Sequence, residues 1–219
     1  MRATFLALLL TVASASAATM DLTLNGILTN ITVDRTISDS AISTATLNVG
    51  VGLLSYNIST GGTLLAYCFE PQQSAGSGTY TIDSTLLTVP LNIGGISAAK
   101  ANALRLLLGQ TSTPFGGATA LQQAAMQVAI WEIIRETTST YNVSGGNTTF
   151  ANESTAGVLS QAQTWLAAVN SGTGTPISGL FGLTNATFQD IGGQIPEPST
   201  FGMIGLSMVS LAFLARRRK

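Results

Sequence analysis

MQVAIWEII, residues 126–134, decides the fold, because it carries apolar residues at helical spacing in a chain whose first half alternates like strands. Counting back from Ile134 by helical turns gives Trp131, Gln127, Ala124 and Ala120, one stripe that is apolar except at Gln127. The pattern extends the helix over residues 118–137. A glutamine buried there without partners would cost on the order of 1–3 kcal/mol, so it needs either hydrogen bonds or a chemical role.

On either side of this helix the period is readable. Residues 97–108 form a second helix, with Ser97 as N-cap and Gly109 as the stop. A polar stretch over 139–152 leads to a third helix over about 153–169, with Leu159, Gln163, Leu166 and Val169 at helical spacing. From residue 21 to about 89, by contrast, short β-branched runs (31–33, 45–51, 53–58, 63–69) are punctuated by Gly50, Gly52, Gly61, Gly62, Gly76 and Gly78. After Gly172 the chain is Gly/Thr/Ser-rich with strand-like pieces such as 186–188. The reading is α+β, a β-rich domain carrying a helical insertion.

Composition narrows the setting. Only 9% of the 219 residues are charged, and Ser, Thr, Asn and Gly abound, as in extracellular bacterial surface proteins. Between residues 19 and 199 four basic residues face ten acidic ones, a formal charge of −6, which excludes the basic patch that nucleic acid requires.

Both ends carry export signals. Residues 1–18 hold Arg2, an apolar run and small residues at Ala13, Ala15, Ala17 and Ala18, the pattern of a secretory signal peptide cut after Ala17 or Ala18. Residues 191–219 hold Pro196, Glu197 and Pro198, an apolar run over 201–215, and Arg216, Arg217, Arg218 and Lys219. Fifteen helical residues rise about 23 Å, a short single transmembrane helix completed by flanking residues and snorkelling arginines. The terminal cations stay cytoplasmic, so the body faces outward from the inner membrane. This tail resembles the PEP-CTERM sorting signal of Gram-negative bacteria. The resemblance implies cleavage by the membrane enzyme exosortase, after transient anchoring, and delivery to the cell surface or an exopolysaccharide matrix. The domains expected are 1–18, 19–190 and 191–219.

With no histidine in the chain, Ser-His-Asp and Cys-His mechanisms cannot be assembled and the common zinc sets are absent, so neither a metal nor a cofactor is expected. Glu132 and Glu136, one helical turn apart, read as a solvated face, and six Asn-x-Ser/Thr triplets read as surface polarity. Cys68 is the sole cysteine, in the strand-like LLAYCFE, residues 64–70. It is buried and inert, paired between chains, or reactive. If its sulfur attacked the side-chain carbonyl of Gln127 with loss of ammonia, an internal thioester would store an activated acyl group, and Tyr67, Phe69 and Trp131 would wall the bond from water.

Tyr67-Cys68, followed about 60 residues later by Met126-Gln127-Val128-Ala129-Ile130-Trp131, resembles the thioester domains of bacterial surface adhesins, which pair a strand cysteine with a Thr-Gln-x-Ala helix. Met126 stands where that family has threonine. The resemblance implies an antiparallel β-barrel or sandwich core with a helical insertion, bond-forming roles for Cys68 and Gln127, and single-use covalent attachment to an amine or hydroxyl on a surface or matrix partner. Such attachment is not turnover, so the chain is not expected to be an enzyme. The alternative is a passive structural or glycan-associated matrix domain without a thioester. An extracellular hydrolase built on carboxylates is the third reading.

Overall fold

The computed structural model describes residues 17–39 and 42–194. Six strands form a closed antiparallel barrel. They are β1 (Thr19–Ile27), β4 (Leu54–Ile58), β5 (Thr63–Cys68), β6 (Gly78–Asp83), β8 (Leu180–Thr184) and β9 (Ile191–Gln194), in the order β1-β4-β5-β9-β8-β6. Beside it lies a three-stranded sheet in which β2 (Ile31–Asp39) sits between β3 (Ile42–Val51) and β7 (Thr148–Ala151). The helices α1 (Ala98–Leu108), α2 (Ala120–Arg135) and α3 (Val158–Asn170) all fall between β6 and β8, the helical insertion that the change of period announces. Among the described residues no helix is long and apolar enough to cross a membrane. The signal peptide at 1–18 and the tail from 195 onward, with Pro196, Glu197, Pro198 and Arg216 to Arg218, lie outside or at the margin of the described residues.

Strand alternation sorts the barrel. The register pairs Tyr56 with Leu64, Leu54 with Ala66 and Cys68 with Ile191, so Tyr56, Leu64, Ala66, Cys68, Ile191 and Leu183 share the buried interior face. Across it Tyr56 and Tyr80 meet edge to face at 6.3 Å. On the outer face Gly182 pairs with Gly192, and a Cβ on Gly192 would lie 2.0 Å from the Phe69 ring, so these glycines let Val89 and Phe69 close over the sheet. The folded unit runs to Gln194, four residues past the boundary at 190, because β9 is the strand between β5 and β8.

The helix starts have local causes. Ser97 accepts from the Lys100 N–H, and Thr119 and Gln122 form a reciprocal capping box at the head of α2. The third helix begins at Val158 rather than 153, because Glu153 stays outside it and accepts from the main-chain N–H groups of Gly157 and Leu159. The expected amphipathic stripe gives way to a helix buried on every side. Each residue of α2 from Ala124 to Arg135 is buried, since the barrel, the small sheet, α1 and α3 all pack on it.

That burial corrects the solvated reading of Glu132 and Glu136, which are 0% and 2% exposed. Glu132 accepts from the Asn142 N–H at 2.8 Å, and Glu136 accepts from the N–H groups of Thr137 and Asn147, so both acids fold the 137–147 loop back onto the helix. Burial pushes the Glu132 carboxyl up to about 8. The piece at 186–188 is loop rather than strand, and β7 lies inside the stretch read as polar linker.

Candidate functional site

Cys68 is the last residue of β5, with its side chain pointing into the barrel and 4% exposed. The Phe69 N–H bonds to Asp190 on the β9 side, so the N–H and C=O of Cys68 point the other way, towards β4. There β4 has already ended, its first residue Leu54 pairing with Ala66. Gln127 fills the gap. Its Oε1 accepts from the Cys68 N–H at 2.9 Å and its Nε2 donates to the Cys68 C=O at 2.8 Å. A primary carboxamide offers the same donor and acceptor as a peptide group, so this side chain continues the ladder where the strand is missing. That satisfies the demand of a glutamine in an apolar stripe.

The carboxamide that meets sulfur is Gln189. The Cys68 Sγ lies 2.5 Å from Gln189 Oε1, both residues being buried. Gln189 sits in the loop between β8 and β9, fixed along its length. Asn185 Oδ1 accepts from the N–H groups of Thr187 and Phe188, an Asx turn, and the Gln189 N–H donates to the Ser74 C=O. The Phe188 ring occupies the space that a Cβ on Gly76 would take. Asp190, fully buried, accepts from the N–H groups of Asn185 and Leu91 and ties the loop to the 3₁₀ turn at Leu91–Ile93. Sequence reading missed Gln189. Its one signal is a glutamine bracketed by Phe188 and Asp190 just before a glycine pair, in a stretch with no helical or strand period.

The walls differ from a ring of three aromatics. Trp131 is beside the thiol, while Tyr67 and Phe69, on the opposite face of the strand, back the site from outside. Tyr67 donates to the Pro114 C=O at 2.9 Å and packs on Phe115. The Tyr56 hydroxyl, on the interior face, lies near Gln189 without completing a hydrogen bond. Burial pushes the Cys68 thiol up to about 12, against the opposing influence of the Trp131 indole and the Glu70 main-chain N–H. Burial and then the Asp190 carboxylate push the Glu70 carboxyl up to about 7. Glu70 is fully buried, with Oε1 unpartnered.

The family model for the PEP-CTERM protein-sorting motif matches residues 194–219, beginning at the last residue of β9. The match supports an exported chain that is a substrate of exosortase. No curated protein and no solved structure matches the chain.

Proposed function

We propose that this chain is an exported covalent tether in which Cys68 and Gln189 condense to a thioester that a surface or matrix nucleophile later opens. The supporting observation is the approach of Cys68 Sγ to Gln189 Oε1, at 2.5 Å in a buried site. That separation is short even for two hydrogen-bonded oxygens, and sulfur is larger than oxygen. The thiol is thus in contact with the carboxamide whose carbonyl carbon it would have to attack.

In the condensation the sulfur adds to Cδ of Gln189, the C–N bond breaks, and the thiol proton leaves with the ammonia. A thiol held near 12 does not ionise by itself at neutral pH, so a base must take that proton. Glu70, two residues along the chain with a free buried oxygen and a carboxyl near 7, is suited to accept it and return it to the leaving nitrogen. Gln127 positions the reaction by holding both main-chain groups of Cys68. The sequence pairs sulfur with Gln127 itself, but that carboxamide spends both its polar ends on Cys68 peptide groups. No step regenerates the bond, so the protein is a reagent and not an enzyme.

Intact mass of the processed chain tests the reading. A deficit of one ammonia is expected, abolished in Cys68→Ala and Gln189→Ala, and methylamine should add at residue 189 while unmasking a thiol. Methylamide at residue 127 would transfer the acyl role to Gln127. Full calculated mass, with Cys68 inert behind its protonated thiol, would leave the passive matrix module.

A further inference from the structure

Beside the reactive pair lies a cavity of about 400 Å³, within the range of pockets that take small ligands. Gln189 and Trp131 form part of its wall, so it is the approach to the acyl carbon. Its polar remainder is Arg35, Gln73 and Ser74, and no carboxylate lines it. Arg35 is therefore the sole charge on the lining.

Arg35 is 2% exposed. One guanidinium nitrogen donates to the Pro71 C=O at 2.6 Å, and the guanidinium carbon lies 5.2 Å from the centre of the Trp131 ring. Its Nε has no partner, and among the described residues no carboxylate pairs with it. A buried cation without a counter-ion is costly, and guanidinium cannot shed its proton to relieve the cost. The cation–π contact with Trp131 offsets part of this. What is left over is a local positive potential at the cavity wall, since the Glu70 and Asp190 carboxyls are fully buried and off the lining, although the body of the chain is acidic overall.

This potential discriminates among nucleophiles. A lysine side chain arrives as an ammonium ion and is repelled, whereas a sugar hydroxyl arrives neutral and a neighbouring carboxylate on the same sugar is attracted. Resting on the thioester reading above, we infer that the partner is a polysaccharide bearing carboxylates, attached through one of its hydroxyls as an ester at residue 189, with Arg35 as the specificity-determining residue. The hydroxyl oxygen adds to the acyl carbon, the C–S bond breaks, and the hydroxyl proton ends on the Cys68 sulfur as a free thiol.

The test uses the processed chain after its ammonia deficit has been verified by mass. Adduct formation is timed with three amine probes of matched size, 2-aminoethanesulfonate, 2-methoxyethylamine and 2-aminoethyltrimethylammonium, with rates corrected to the free-amine fraction. The sulfonate probe should react about tenfold faster than the trimethylammonium probe at low salt, with the ratio shrinking as salt rises. Arg35→Gln should bring the ratio to within about twofold, and Arg35→Lys should keep most of it. Alginate oligomers should give a hydroxylamine-labile ester while uncharged dextran lags by about tenfold. Equal probe rates in the native chain, or dextran reacting as fast as alginate, would overturn the assignment while leaving the thioester standing. A native chain without the ammonia deficit removes both. If Arg35→Gln does not fold, the salt dependence in the native chain and the Arg35→Lys variant decide.

Discussion

Two regions each bring one glutamine to Cys68, and they do opposite things with it. Helix α2 delivers Gln127 to the main chain, where both polar ends are satisfied by peptide groups. The β8–β9 loop delivers Gln189 to the side chain, where its carbonyl oxygen meets sulfur. A carboxamide bound by its donor and its acceptor to one residue's backbone is acting as a strand. A carboxamide whose oxygen meets the thiol is the one that the thioester proposal puts to chemical use. Identical side chains thus differ in role by what they touch, and proximity in space does not separate them.

The sharpest way to break the comparison is to remove each glutamine in turn. Gln189→Ala should abolish the ammonia deficit outright and cost only about 1 kcal/mol of stability, read by mass and by urea denaturation. Gln127→Ala should do the reverse. It leaves two buried main-chain groups of Cys68 unmet, costing about 2–4 kcal/mol, while a residual fraction of the chain still loses ammonia. A Gln127→Ala chain of native stability would sink the ladder role.

The acids flanking the two regions give a pH signature. Glu70, on the loop side, and Glu132, on the helix, are both raised by burial from 4.5, to about 7 and about 8. The folded state therefore holds more protons than the unfolded state between about pH 4.5 and 8, so their stabilising contribution is whole below pH 4.5 and is lost as pH rises through 7 and 8. Denaturation midpoints should fall across that window, and Glu132→Gln should flatten the upper part of the slope. An unchanged slope in that variant would contradict the burial-driven shift.

Smallest is a probe that loosens one region and spares the other. Thr119→Ala removes the capping box of α2 and should cost about 1 kcal/mol by thermal or urea unfolding. Because Thr119 does not touch the Gln189 loop, the ammonia deficit of the folded chain should be unchanged.

How far this was readable from sequence follows the range of the interactions. Ser97, Thr119 and Gly109 act within one helical turn, so α1 and α2 lie within two residues of their expected bounds. Cys68 and Gln127 are linked by strand alternation and helical spacing, and Gln127 does reach Cys68, at its main chain and not its sulfur. Gln189 contacts a residue 121 positions earlier through a loop without period, so nothing local marks it. The same holds for β7, which owes its existence to pairing with β2 more than 100 residues away. The burial of Glu132 and Glu136 is likewise decided by elements that pack on α2 from sides its own apolar stripe does not announce.

The barrel closes with its last strand, and Gln189 precedes that strand by two positions. A chain that threads through a membrane from its N-terminus must therefore deliver nearly all of its body to the far side before sulfur and acyl partner are assembled. On the thioester proposal, cytoplasmic amines and thiols would never encounter an activated centre, and its timing would be written into the order of the strands.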